Sequence, residues 1–176
     1  MPAMRELAPL AVFRPLPRID RIEAADLPPP YRALLDHARD MTSTLEAFHK
    51  GRIELRVLNS SMNHSRYQRE VLLMLEHSKM PVEHGAIQIV LDAFPPAGQK
   101  LILEGRRPLG AILEACAIDY TSRPSAFLRV ESDEAIGRAL NLPKGRALFG
   151  RCNTLSDGKG RVLAEIVEIL PPMEPA

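Results

Sequence analysis

Three groups of residues break their local pattern in ways that bear on chemistry. In the stretch 67–75, alternation places Tyr67, Arg69, Val71, Leu73 and Leu75 on one face, so Arg69 is a guanidinium on an otherwise apolar surface. A buried arginine is costly unless a carboxylate meets it, and its planar fork suits bidentate carboxylate binding. Two readings follow: an ion pair with a neighbouring strand, or an anchor for a carboxylate ligand. In 161–170, Leu163, Glu165, Val167 and Ile169 share one face, and Val162, Ala164, Ile166, Glu168 and Leu170 the other. A carboxyl in an apolar pocket has its pKa raised by desolvation, which suits a general acid, and it is equally the natural partner of Arg69. Alternation alone leaves either glutamate as the inward one. The third group, Arg106-Arg107-Pro108-Leu109-Gly110, is a basic approach to a helix start, where the free amides of Leu109 and Gly110 would suit an anion or mark an ordinary helix end.

Other chemistry has few handles. His37, His49, His64, His77 and His84 form no HxxxH or HExxH spacing, so no metal is expected. GxSxG, GxxxxGK and GxGxxG are absent, which removes the usual serine-hydrolase and nucleotide motifs. Cys116 and Cys152 have no CxxC spacing and lie in apolar surroundings, as reduced structural thiols do. The 176 residues carry 23 basic against 22 acidic side chains, a net charge of +1, with no basic run and no tryptophan. That balance lacks the footprint of a nucleic-acid or anionic-membrane binder and favours a small ligand. Apolar runs are too short to cross a bilayer and the start lacks signal-peptide zoning, so a cytoplasmic location is expected.

The elements that must position these residues follow from periodicity. Seven of the 16 prolines fall in the first 30 residues, so 1–30 reads as an extended arm and 172–176 as a tail, with the domain at 31–171 between them. Tyr31, Leu34, Leu35, Ala38 and Met41 recur at helical spacing, continued by Leu45 and Phe48. Ser43 with Glu46 offers a capping box, so a second helix is expected near Thr42, with Met41 at the joint. Strands are expected at 53–57, 67–75, 82–92, 147–155 and 161–170, the last two joined by Ser156-Asp157-Gly158-Lys159-Gly160 as a hairpin. Helices are expected at 108–117, with proline first, and at 132–140, capped by Ser132. Strands in hairpins with helices gathered to one side describe an α+β antiparallel sheet.

Read together, the chain resembles the chorismate pyruvate-lyase family. The matching pieces are Asp40-Met41-Thr42 with Leu45-Glu46, Tyr67-Gln68-Arg69-Glu70-Val71-Leu72-Leu73, Arg107-Pro108-Leu109-Gly110, Leu148-Phe149-Gly150-Arg151 and Val162-Leu163-Ala164-Glu165, spread over about 31–171. The resemblance implies a sheet of about six strands with helices packed on it. It implies conversion of chorismate to 4-hydroxybenzoate and pyruvate without metal or organic cofactor, in a pocket beneath helical flaps. On this resemblance Arg69 binds the carboxylate, the Leu109 amide assists it, Glu165 helps proton transfer and Met41 closes the flap. The stretch from Glu165 to Pro171 is longer than the family pattern, and a bulge there would exchange the faces of Glu165 and Glu168. Two alternatives stand beside the lyase: a noncatalytic module binding aromatic carboxylates, and a related lyase giving another hydroxybenzoate. The same architecture serves ligand-sensing domains of transcription regulators; those follow a DNA-binding domain, for which 176 residues are expected to leave no room.

Overall fold

A computed structural model describes residues 4–173. Alternating apolar residues build seven strands, β1 (Ile19–Ile22), β2 (Ile53–Asn63), β3 (Arg66–Leu75), β4 (Pro81–Val90), β5 (Tyr120–Glu131), β6 (Ala147–Asp157) and β7 (Val162–Leu170). They form one antiparallel sheet in the order β1-β5-β6-β7-β4-β3-β2. Six α-helices accompany them: α1 (Ala8–Ala11), α2 (Tyr31–Leu35), α3 (Met41–His49), α4 (Pro96–Glu104), α5 (Leu109–Ala115) and α6 (Glu134–Leu140).

Both faces of the sheet are covered. On the back face Leu7 and Leu10, beside Ile136 and Leu140 of α6, pack on Leu72, Met74, Leu128, Val130, Val167 and Ile169. On the front face α4 and α5 contribute Ile102, Ile112 and Leu113 against Ile87, Ile89 and Ala164. There α2 and α3 contribute Leu34, Leu35, Met41 and Leu45 against Leu73, Val82 and Leu170. Tyr31 ties α2 to the end of β7: its hydroxyl donates to Pro171 O at 2.9 Å and accepts from Met173 N at 2.8 Å, and its ring meets Phe149 with centroids 4.9 Å apart.

The α+β antiparallel expectation holds, with one strand more than the six implied. Three corrections follow. Within the expected extended arm, the described residues 4–30 pack on the domain: Leu7 and Leu10 are buried in the back-face core, and β1 pairs with β5 at one edge of the sheet. Residues 1–3 and 174–176 lie outside the described residues, and with them most of the expected tail. The region 116–144 contains not only α6 but β5, whose Pro124 sits beside a register shift where a ladder donor is dispensable. The helix starts also differ by a residue or more. Asp40, not Ser43, caps α3, accepting from Ser43 N at 2.9 Å; Asp133, not Ser132, caps α6; and Pro108 stands just before the first residue of α5. In the first two the aspartate accepts from the third amide of the helix; Ser43 is itself that third residue of α3, and Ser132 stands one position before the cap of α6.

Candidate functional site

The sheet rows that face α2, α3 and α5 define the site. On β3, Arg69, Val71 and Leu73 point to the front, and the ladder continues each row across the sheet. Leu73 is opposite Glu83; Val71 opposite Gly85, which is opposite Glu168, then Arg151; Arg69 opposite Ile87, then Ile166, then Asn153. These rows floor a cavity of about 70 Å³, room for several waters or one compact molecule. Its walls include Arg69, Val71, Leu73, Glu83, Gly85, Ile87, Ile166 and Glu168 from the sheet, Asp40, Met41 and Thr42 at the start of α3, and Leu109 and Gly110 of α5.

Two glycines make that space. A Cβ on Gly85 would stand 3.0 Å from Glu83 Oε1 and 3.2 Å from Val71 Cγ2, so a side chain there would press into the floor. A Cβ on Gly110 would stand 2.5 Å from Asp40 Oδ1, so the cap of α3 and the first turn of α5 touch only because that position is bare.

Arg69 is the anomaly of the site. Its side chain is 1% exposed, and Nη2 donates to Arg107 O at 3.0 Å, while Nε and Nη1 are buried without a hydrogen-bond partner. No carboxylate forms an ion pair with it among the described residues, and the row it belongs to carries Ile87, Ile166 and Asn153 instead. The alternative of a structural ion pair with an adjacent strand is thereby excluded. Burial pulls its pKa below the ordinary arginine value, opposed by Tyr67. A guanidinium in apolar surroundings keeps its charge, so the cavity wall carries a cation with no carboxylate partner and two buried donors unused.

The other end is acidic. Arg151 is 0% exposed: Nε donates to Glu168 Oε2 at 2.5 Å, Nη1 to Leu35 O at 3.1 Å and His37 O at 2.8 Å, and Nη2 to Arg39 O at 3.4 Å. It thus holds the segment between α2 and α3 down onto the sheet. Glu83 is 4% exposed, and its Oε2 has no partner. Desolvation pushes the Glu83 carboxyl well above its ordinary range and the negative charge of Glu168 adds to this, against the pull of Arg151. Glu168 is also raised by burial, though Arg151 lowers it.

Of the residues expected to form the site, Arg69, Leu109 and Met41 line this one cavity. Glu165 does not. It lies opposite Gln88 and Thr154 on the back-face parity, and Gln88 Nε2 approaches its Oε2 at 3.4 Å. The ladder of β7 is regular from Ala164 to Ile169, the only shift against β6 falling at Leu155/Ser156, so no bulge brings Glu165 inward and Glu168 is the front-facing glutamate. Glu83 was not among the expected site residues. Its signal was a charged residue on the same alternation as Gly85 and Ile87, which becomes meaningful only once β4 is known to lie between β3 and β7. Cys116 and Cys152 are both free, and burial pushes the Cys152 thiol up to about 12.

No protein-family model matches the chain, and no curated protein matches it in sequence. The fold is found among solved structures. PhnF from Mycobacterium smegmatis superposes with a TM-score of 0.62 at 10% identity, over 78% of this chain and 66% of that one. The chain thus spans just under two thirds of PhnF. The effector domain of PhnF superposes at 0.59 and 10% identity, over 78% and 91%. A GntR-family transcriptional regulator from Enterococcus faecalis superposes at 0.50 and 13%, over 66% and 91%. The fold is therefore the chorismate lyase-like one, shared with the ligand-binding domains of such regulators. The carbon–oxygen lyase expectation is corrected accordingly: the similar structures are regulator effector domains, not enzymes. The residue to which proton transfer was assigned, Glu165, faces away from the cavity. No helix among the described residues is long and apolar enough to cross a membrane.

Proposed function

We propose that the chain is a noncatalytic ligand-binding domain that takes a compact organic anion, with an aromatic carboxylate as the representative case. The observation that carries this is Arg69: 1% exposed, without a carboxylate partner, and with Nε and Nη1 unsatisfied at the wall of a cavity. An incoming carboxylate supplies the missing charge and accepts along one edge of the guanidinium, from Nε or Nη1 together with the second hydrogen of Nη2. The apolar rows of Val71, Leu73, Ile87 and Ile166 fit a ring or short hydrocarbon body. Met41 and Leu109 close over it, and the binding reaction needs no metal or cofactor. The likeness to regulator effector domains supports a sensing role, in which binding changes the state of the α2–α3 segment. A transcriptional regulator works on DNA, so the expected lack of a nucleic-acid partner is restricted to this cavity.

The test is calorimetric titration with benzoate and 4-hydroxybenzoate. Arg69→Ala is expected to weaken binding by about 2 to 3 kcal/mol, with Arg69→Lys recovering only part of it. Equal affinity in wild type and a folded Arg69→Ala variant overturns the reading.

A further inference from the structure

The anion site uses one end of the cavity and leaves the other end unexplained. Glu83 is 4% exposed, lines the cavity and has an unpartnered Oε2, and Glu168 lies diagonally across Gly85 from it. The charged and titratable groups around Glu83 are Glu168 of β7, Arg151 of β6 and Asp40 ahead of α3, with Tyr120 of β5 on the same cavity wall. Arg151 is spent: its donors are directed to Glu168 and to the carbonyls of Leu35, His37 and Arg39. It balances one carboxylate and leaves a second without a cation. The cavity adjoins an outer cleft of about 510 Å³ that shares Asp40, Thr42, Pro108, Gly110 and Tyr120 with it and adds Glu46 and Glu114. That route is acidic, which favours a cationic group and disfavours a bare polyanion.

We infer that Glu83, with Glu168 beside it, is a second subsite that takes a protonated amine, so that the natural ligand is a compact amino acid-like zwitterion with its carboxylate on Arg69. This deepens the anion-binding reading and rests on it. Arg69 is four residues from Leu73, the partner of Glu83, so the two backbones are about 13 Å apart along the strand. Both side chains reach inward, and a ring with a short substituent between them draws on the adjoining cleft of about 510 Å³ as well as on the cavity of about 70 Å³. Empty, the Glu83 carboxyl is shifted toward its protonated form, by burial first and by the charge of Glu168 second. An ammonium arriving there restores the opposite charge, and Glu83 gives its proton to solvent while the ammonium keeps its own.

The experiment separates the two ends with matched probes. Benzoate and 4-methylbenzoate report the Arg69 end, benzylamine the Glu83 end, and 4-(aminomethyl)benzoate both. Benzylamine is expected to shift amide resonances of β4 and β7 in wild type and in Arg69→Ala, but not in Glu83→Gln, where glutamine copies the protonated acid and preserves the packing. 4-(Aminomethyl)benzoate is expected to bind at least about tenfold more tightly than 4-methylbenzoate, an advantage that Glu83→Gln removes. Calorimetry in phosphate and in Tris at pH 7 is expected to show more proton release with 4-(aminomethyl)benzoate than with 4-methylbenzoate. Benzoate bound at Arg69 without any preference for the amine, or with a preference unaffected by Glu83→Gln, overturns the amine subsite and leaves the anion reading standing. Amine binding that needs Glu83, with no effect of Arg69→Ala on any carboxylate, overturns the anion reading and with it the zwitterion.

Discussion

Arg69 and Arg151 are the two arginines sealed in the front face of this sheet, exposed at 1% and 0%. They differ in what surrounds them. Arg151 meets a carboxylate and three backbone carbonyls, so its charge and its donors are met within the protein. Arg69 lines a cavity, meets one carbonyl and keeps two buried donors without a partner. The back face repeats the pairing of charge, though not of every donor: Glu70 lies 3.5 Å from Arg14 Nε and 3.4 Å from His84 Nε2 and accepts from Asn59 Nδ2 at 3.0 Å, while Arg14 Nε and Nη2 make no hydrogen bond. Burial of charge is thus common in this fold and is answered internally wherever it serves structure. A charge left unanswered beside open space is the one that points outside the chain.

Breaking this comparison at Arg151 has the largest expected effect. Arg151→Ala strands Glu168 in the core and frees the carbonyls of Leu35, His37 and Arg39, and is expected to cost about 3 to 5 kcal/mol in urea unfolding. Removal of Arg69 acts in the other direction. Arg69→Met takes away an unpaired buried cation while keeping most of its volume, and is expected to raise stability by about 1 kcal/mol while abolishing carboxylate binding. A loss of stability comparable to that of Arg151→Ala would place Arg69 among the structural charges.

The pH dependence sharpens the contrast between the faces. Folded Glu83 has its pKa well above the ordinary 4.5, chiefly through burial. Its stabilising contribution is complete below about 4.5 and is lost as pH rises through the folded value. Glu70 is shifted the other way, chiefly by the His84 contact, so its contribution is present above about 4.5 and is lost as pH falls through its lowered value. Glu83→Gln is therefore expected to be more stable than wild type at neutral pH, by about 1 kcal/mol, with the gap closing in acid. Glu70→Gln is expected to be less stable at neutral pH, with its gap also closing in acid. Urea midpoints from pH 3 to 8 measure both slopes, and slopes of the same sign would contradict the assignment.

Much of the front face was legible in the sequence because strand alternation is local. Arg69 stood out against Tyr67, Val71 and Leu73, and it does occupy the front-face row. Met41 at a joint between helices was legible from the capping pair Ser43 and Glu46 set inside an otherwise continuous helical spacing. What alternation cannot supply is which strand lies beside which. With β4 between β3 and β7, Arg69 has Ile87 rather than a glutamate as its neighbour, and Glu83 becomes a wall of the cavity. The choice between Glu165 and Glu168 depended on whether β7 carries a bulge, a property of its pairing with β4 and β6. The strand β5 escaped notice because Pro124 and alternating polar residues blur its period, and α4 because it opens on Pro95-Pro96, which reads as a loop. The strand β1 was hidden by the prolines on either side of four residues whose partner is remote in the chain.

That remoteness has a kinetic consequence. Ile19 pairs with Val130 and Ile22 with Phe127, so β1 must close a loop containing most of the domain before its first rung forms. The hairpins β2–β3, β3–β4 and β6–β7 need only short turns and assemble early. Docking of the N-terminal segment onto the finished sheet is consequently a late step in folding, and its reversal is the least costly partial opening of the native state. Protection from hydrogen exchange should grade along the chain accordingly, lowest at Ile19–Ile22 and highest at the central pair β4 and β7.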